Sequence, residues 1–185
     1  MRQYAPEKDP AVEPSIPRLA LRSANRFAWL CLGGSLRLRR ARRGTAYDLG
    51  SRGNYVVFRE TVSSGSTTGD ALVVLVVGFR LRVIGKSALA HRLFQRCCIL
   101  TTPFWSGFAG FRVKLWMVDP DTDDYLGIYD WCGREQAQLY VDALVRVLRP
   151  LSTPRSVWYE IREQPFERFL SDHLRRQSAA RSMPA

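Results

Sequence analysis

Gly110-Phe-Arg-Val-Lys-Leu-Trp-Met-Val118, then Asp119-Pro-Asp-Thr-Asp-Asp124, then Tyr125-Leu-Gly-Ile-Tyr-Asp-Trp-Cys132, are two strand-like runs around one polar turn. In the first run Phe111, Val113, Leu115 and Met117 alternate with Arg112, Lys114, Trp116 and Val118, a period of two that gives a strand one apolar and one mixed face. The segment from Asp119 to Asp124 is too polar to bury and holds Pro120, so the chain reverses there. With Val118 opposite Tyr125, antiparallel pairing sets Trp116 against Gly127, Lys114 against Tyr129 and Arg112 against Trp131. The stretch predicts a β-hairpin with an aromatic, cationic face. It contains no nucleophile elbow, phosphate loop or metal-ligand cluster, so it speaks to the fold and not to a reaction.

Working outward, Ala71 to Ile84 is β-branched and apolar, then alternates around Arg80 and Arg82, which predicts a central strand ending nearer solvent. Ser87 can cap a helix through Leu100, with Leu89, Leu93, Phe94, Cys97 and Leu100 on one face, and Thr101-Thr102-Pro103 stops it. After the hairpin, Ala137, Tyr140, Val141, Leu144, Val147 and Leu148 recur at helical spacing over 134–148, and Pro150 ends that helix. Ser156 to Arg162 alternates as a further strand. Phe166 to Arg176, with Phe169, Leu170 and Leu174, is a short C-terminal helix.

The order between 71 and 162 is strand, helix, strand, strand, helix, strand. That is an α+β, ferredoxin-like βαββαβ plan with a four-stranded antiparallel sheet. Helices on one face leave the other open, carrying Arg80, Arg82, Arg112, Lys114, Trp116, Tyr125, Tyr129, Trp131 and Trp158. At ~25 cal/mol per Å² of apolar area, a wet aromatic face is costly, and a second copy of the sheet is the simplest cover. The expected assembly is therefore a homodimer.

The domain expected at 71–165 follows a basic extension and linker at 1–70 and precedes a helix and tail at 166–185. The net charge is +11 over 185 residues. Residues 1–70 hold 12 Lys/Arg against 6 acids and so carry over half of the excess. Pro6, Pro10, Pro14 and Pro17 oppose regular structure at the start, and Ser63 to Gly69 is a flexible linker by composition. Arg37, Arg39, Arg40, Arg42 and Arg43 are dense enough to attract nucleic acid or an anionic surface, although a solvated arginine-rich tail explains them equally. The cysteines at 31, 97, 98 and 132 form no C-x-x-C pair, so neither a disulfide framework nor a zinc site is expected. No apolar run approaches the ~20 residues of a spanning helix, and the run from Phe27 to Leu32 is short for a signal peptide, so a cytoplasmic location is expected.

Lys114-Leu115-Trp116, the acidic turn Asp119-Pro120-Asp121-Thr122, Gly127-Ile128-Tyr129, and a helix with Ala137 and Tyr140 together resemble the YdhR-like monooxygenases of the dimeric α+β barrel superfamily. The resemblance covers about 71–162. It implies two four-stranded sheets packed into a dimeric barrel and a pocket between sheet and helices. It also implies oxidation of an aromatic or quinol-like molecule by O₂, without metal, flavin or other cofactor. One position departs from the family: after Tyr129 the usual residue is apolar, and here it is Asp130. On the strand parity of Leu126 and Ile128, Asp130 would face the helices and have its pKa raised by desolvation.

The candidate catalytic residues are His91, Tyr129 and Asp130. His91 is the sole histidine of the expected domain and titrates near neutrality, though a lone helix histidine is more often packing. Trp116, Trp131 and Tyr140 are candidate substrate contacts, and Arg112 and Lys114 are either anchors or cation–π partners of Trp131 and Tyr129. A non-enzymatic alternative stands beside the oxygenase: a ligand-binding module, or an RNA-binding one that stacks bases on the open aromatic face.

Overall fold

The computed structural model describes residues 3–4, 36–63, 72–82 and 110–181. Eight strands form one sheet: β1 (Gln3–Tyr4), β2 (Leu36–Arg39), β3 (Ala46–Asp48), β4 (Asn54–Ser63), β5 (Leu72–Phe79), β6 (Phe111–Val118), β7 (Tyr125–Cys132) and β8 (Trp158–Arg162). Their order is β1-β8-β5-β7-β6-β4-β2, with β3 also on β4, and every pair is antiparallel. Two helices, α1 (Arg134–Leu151) and α2 (Phe166–Arg181), complete the described elements with a single 3-10 turn at Gly50–Arg52.

The hairpin forms as β6 and β7, and its register begins as expected: Val118↔Tyr125, Trp116↔Gly127 and Lys114↔Tyr129. A bulge between Phe111 and Val113 then places Phe111 opposite Trp131 and leaves Arg112 outside the ladder. In the turn, Asp119 is buried and its Oδ1 accepts from the backbone N–H groups of Asp121 and Thr122 at 2.9 and 3.2 Å, while Asp123 takes a left-handed φ of 59°. The carboxylate supplies acceptors that the reversing backbone lacks.

The four-stranded ferredoxin-like plan is not the architecture. β5, β6, β7 and β8 do lie side by side, but β6 is no edge: β4 pairs with it from Val56↔Val118 to Val62↔Val113. β2 and β3 then extend the sheet beyond β4. Residues 36–63, expected to belong to an extension, are therefore part of the sheet. So are Gln3 and Tyr4, which pair with Tyr159 and Trp158 despite the prolines that follow. The helix expected at 87–100, and the linker at 64–69, lie outside the described residues.

The dimeric barrel is overturned by what covers each face. On one face, Val73, Leu75, Val77, Trp116, Tyr129 and Trp131 are buried under Ala137, Tyr140, Val141 and Leu144 of α1. On the other, Val74, Val76, Leu115, Met117, Leu126 and Ile128 pack against Phe166, Phe169 and Leu170 of α2 and against Tyr47 and Tyr55. The aromatic face left for a second copy, with Trp116, Tyr129 and Trp131, is covered by the chain's own α1. The opposite face, with Leu126 and Ile128, carries the C-terminal helix and β3, and Trp158 packs there. Each fully buried Leu or Ile in these layers is worth roughly 1.5–3 kcal/mol, so neither layer is incidental. α1 runs to Leu151, past the Pro150 expected to end it, because a proline in the last turn removes a donor only where the helix is already finishing.

Candidate functional site: a cationic aromatic cleft at one end of the sheet

The residues singled out in the sequence divide between two places. Under α1, the Lys114 ammonium sits 3.0 Å from the centre of the Trp116 ring and 4.7 Å from that of Tyr129, while its side chain is buried. The cation–π contact anticipated with Tyr129 is therefore present, with Trp116 the nearer ring. The Trp116 indole N–H donates to Thr61 Oγ1 at 3.3 Å, a partner supplied by β4. Tyr140 lies 5.1 Å from Tyr129 and 4.9 Å from Trp131, and burial first, then Tyr129, holds its hydroxyl well above the usual phenol range. The Trp131 indole N–H is buried with no hydrogen-bond partner among the described residues. This is a packed aromatic layer around one ammonium.

Asp130 and Arg112 are on the other side of the sheet. The bulge that removes Arg112 from its expected place opposite Trp131 lets its Nε reach Asp130 Oδ2 at 3.5 Å, and Phe111 takes the Trp131 contact, edge-on at 5.8 Å. Burial raises the Asp130 pKa to about 6, against the pull of Arg112 and with a push from Glu167. Its other oxygen, Oδ1, has no hydrogen-bond partner among the described residues. On the same face Glu60 is fully buried and paired with Arg42, which also holds Glu167 at 2.7 Å. Arg42, expected among cations for nucleic acid, is thus committed inside the molecule. Arg39, Arg40 and Arg43 are exposed, and the Arg37 side chain lies outside the described residues, as does His91. Tyr129 and Asp130, consecutive on β7, point to opposite faces and do not form one site.

A concave site lies elsewhere, where β4, β5 and β8 meet the 3-10 turn, the end of the hairpin turn and the 153–156 loop. This cleft of about 370 Å³ is lined by Arg52, Arg80 and Arg155 and by Tyr55, Phe79 and Trp158, with Asp124, Ser156, Thr153 and Pro154 completing it. Trp158 is opposite Gly78 in the ladder, and a Cβ at Gly78 would stand 2.3 Å from the indole. Only glycine lets the ring lie across β5 there. The Arg52 guanidinium sits 4.3 Å from the centre of that ring and bonds Glu160 at 2.7 Å. Burial alone would raise the Glu160 pKa, but hydrogen bonds from Arg162 and Arg52 outweigh it and lower the pKa.

Arg80 grips Asp124 through two nitrogens, the Nη2–Oδ2 distance being 2.8 Å. The Ser156 hydroxyl donates to the Thr153 carbonyl at 2.7 Å and accepts from the Arg80 backbone N–H at 3.2 Å, which ties the loop to the end of β5. Tyr55 is buried beside this acid–base pair, and burial, then Asp124 and Asp119, push its pKa up to about 12. Arg155 is exposed, has a left-handed φ of 61°, and makes no ion pair among the described residues. Of the cleft residues, Arg80 and Trp158 stand out in the sequence, but on an open sheet face that does not exist. Sequence reasoning misses Arg52, Tyr55 and Arg155 as site residues, and no local motif marks them, because the cleft is assembled from four separate stretches, 52–55, 79–80, 124 and 153–158. The available signal is indirect: Gly78 interrupts an otherwise β-branched strand, which marks a close approach.

Among the described residues no group of three or more His, Cys, Asp or Glu is placed to hold a metal ion, and no helix is long and apolar enough to cross a membrane. No protein-family model matches the chain, and no curated protein matches it. Among solved structures, a major regulator of staphylococcal pathogenesis aligns over 82% of this chain and 96% of its own, at 11% sequence identity and a TM-score of 0.42. A likeness that distant transfers neither fold nor function.

Proposed function

We propose that the chain binds a small aromatic molecule in the Arg52–Arg80–Arg155 cleft, acting as a ligand-binding protein. The observation that carries this reading is a concavity of about 370 Å³ with aromatic walls and three guanidinium groups. Small-molecule sites have this make-up, with apolar surface for affinity and a few convergent polar groups for orientation. The oxygenase reading draws less support, because its residues are dispersed: Tyr129 and Asp130 lie on opposite faces, and His91 is outside the described residues. RNA stacking on Trp116, Tyr129 and Trp131 loses its platform, since those rings are buried under α1.

The test is ligand-observed NMR of the full chain against a panel of small aromatic acids, phenols and aryl phosphates, repeated with Trp158→Ala. Binding by the parent and its loss in the variant are expected. No binder in the panel, or binders indifferent to Trp158→Ala, would overturn the assignment of the cleft.

A further inference from the structure

The charge of the cleft narrows the ligand, on the reading that the cleft is a binding site. Three guanidinium groups line it against one carboxylate, Asp124, which Arg80 already holds. Arg52 is paired with Glu160, but Glu160 is shared with Arg162 at 2.6 Å, so that carboxylate faces two cations. Counting Arg162 and Glu160, four guanidinium groups face two carboxylates, an excess of two positive charges. Arg155 supplies a cation with no ionic partner among the described residues, held at the mouth by a backbone conformation that L-residues seldom adopt.

A singly charged carboxylate would leave that excess only partly met. A phosphomonoester carries about −1.5 to −2 at neutral pH and offers three acceptor oxygens to the planar forks of guanidinium groups. Beside those forks, the Trp158 indole lies across Gly78 with Arg52 stacked on it, a wall suited to a flat ring. We infer that the cleft takes a planar aromatic phosphomonoester, such as an aryl or nucleoside monophosphate, with the phosphate at Arg155 and Arg80 and the ring against Trp158. Monocarboxylates of the same ring are poorer ligands.

Calorimetric titration of the full chain with phenyl phosphate, benzoate, phenol and inorganic phosphate tests this. Phenyl phosphate is expected to bind at least tenfold more tightly than each of the others. Arg155→Gln is expected to weaken it about tenfold or more while leaving the melting temperature unchanged, since that exposed side chain makes no ion pair among the described residues. Phenyl phosphate binding should weaken from pH 7 to pH 5, as the phosphate takes up its second proton near about 6. Equal binding of benzoate overturns the phosphate assignment and leaves the cleft as an aromatic-acid site. Equal binding of inorganic phosphate, or an Arg155→Gln variant of unchanged affinity, also overturns it. If phenyl phosphate, benzoate and phenol all fail to bind, the ligand-binding reading falls as well.

Discussion

Asp130→Asn should stabilise the protein at neutral pH. Burial raises the folded pKa of Asp130 from 3.8 to about 6. Between those values the folded chain binds the proton more readily than the unfolded chain, so stability falls as pH rises from about 4 to 6 and then levels off. A tenfold difference in proton affinity between the folded and unfolded chains is worth about 1.4 kcal/mol, which makes the ionised carboxylate a penalty of up to about 3 kcal/mol at pH 7. Asparagine removes the charge but also the attraction of Arg112 at 3.5 Å, and its amide must find partners beside an oxygen site that has none. A net gain of about 1–2 kcal/mol is expected. With a urea slope of about 2 kcal/mol/M, that is a rise in midpoint of roughly 0.5–1 M at pH 7. The gap should close below about pH 4, where both side chains are neutral. A lower midpoint for Asp130→Asn at pH 7 would refute the argument, because it would mean that the Arg112 pair outweighs desolvation.

Arg42→Ala strands the fully buried Glu60 carboxylate and should cost about 3–5 kcal/mol, most of it recovered in the double variant with Glu60→Gln; chemical denaturation of all three forms checks this. Arg80→Ala removes a pair whose arginine is half exposed, so urea unfolding should show a loss of no more than about 1 kcal/mol despite the two-point geometry. A fragment beginning at residue 70 loses β4 from the side of β6 and should self-associate in light scattering, because an eight-residue strand edge is left unpaired. A monomeric fragment with cooperative unfolding would contradict that.

The hairpin is legible because its information is local: alternation and a polar turn fix three of the four cross-strand pairs. The fourth fails at Arg112, where one extra residue changes parity and no side chain announces it. Tyr55 to Arg59 reads as a strand and β4 forms over it, but its place in the sheet escapes the sequence for a different reason. The Gly/Ser run after Ser63 resembles a domain boundary, and composition does not reveal that β6 needs a partner on its outer side. The raised Asp130 pKa follows from parity alone. What covers each face does not, because a mixed face such as Lys114, Trp116 and Tyr129 reads as solvent-facing until Thr61 and Tyr140 are brought to it by distant parts of the chain.

The strand order also sets a timetable for synthesis. β5 is an inner strand of the sheet, yet its partners β7 and β8 begin only at 125 and 158, and β4, complete at 63, has no partner from the middle of the sheet until β6 emerges after 110. From 79 until β7 is made at 125–132 the chain therefore presents Val73 to Val77, five buried apolar residues in a row, without either of the described strands that pair them. Nearly every ladder is non-local, so loop closure precedes any gain from pairing and folding should be slow. Until the last 30 or so residues leave the ribosome, that nascent strand is the part of this protein most in need of a chaperone.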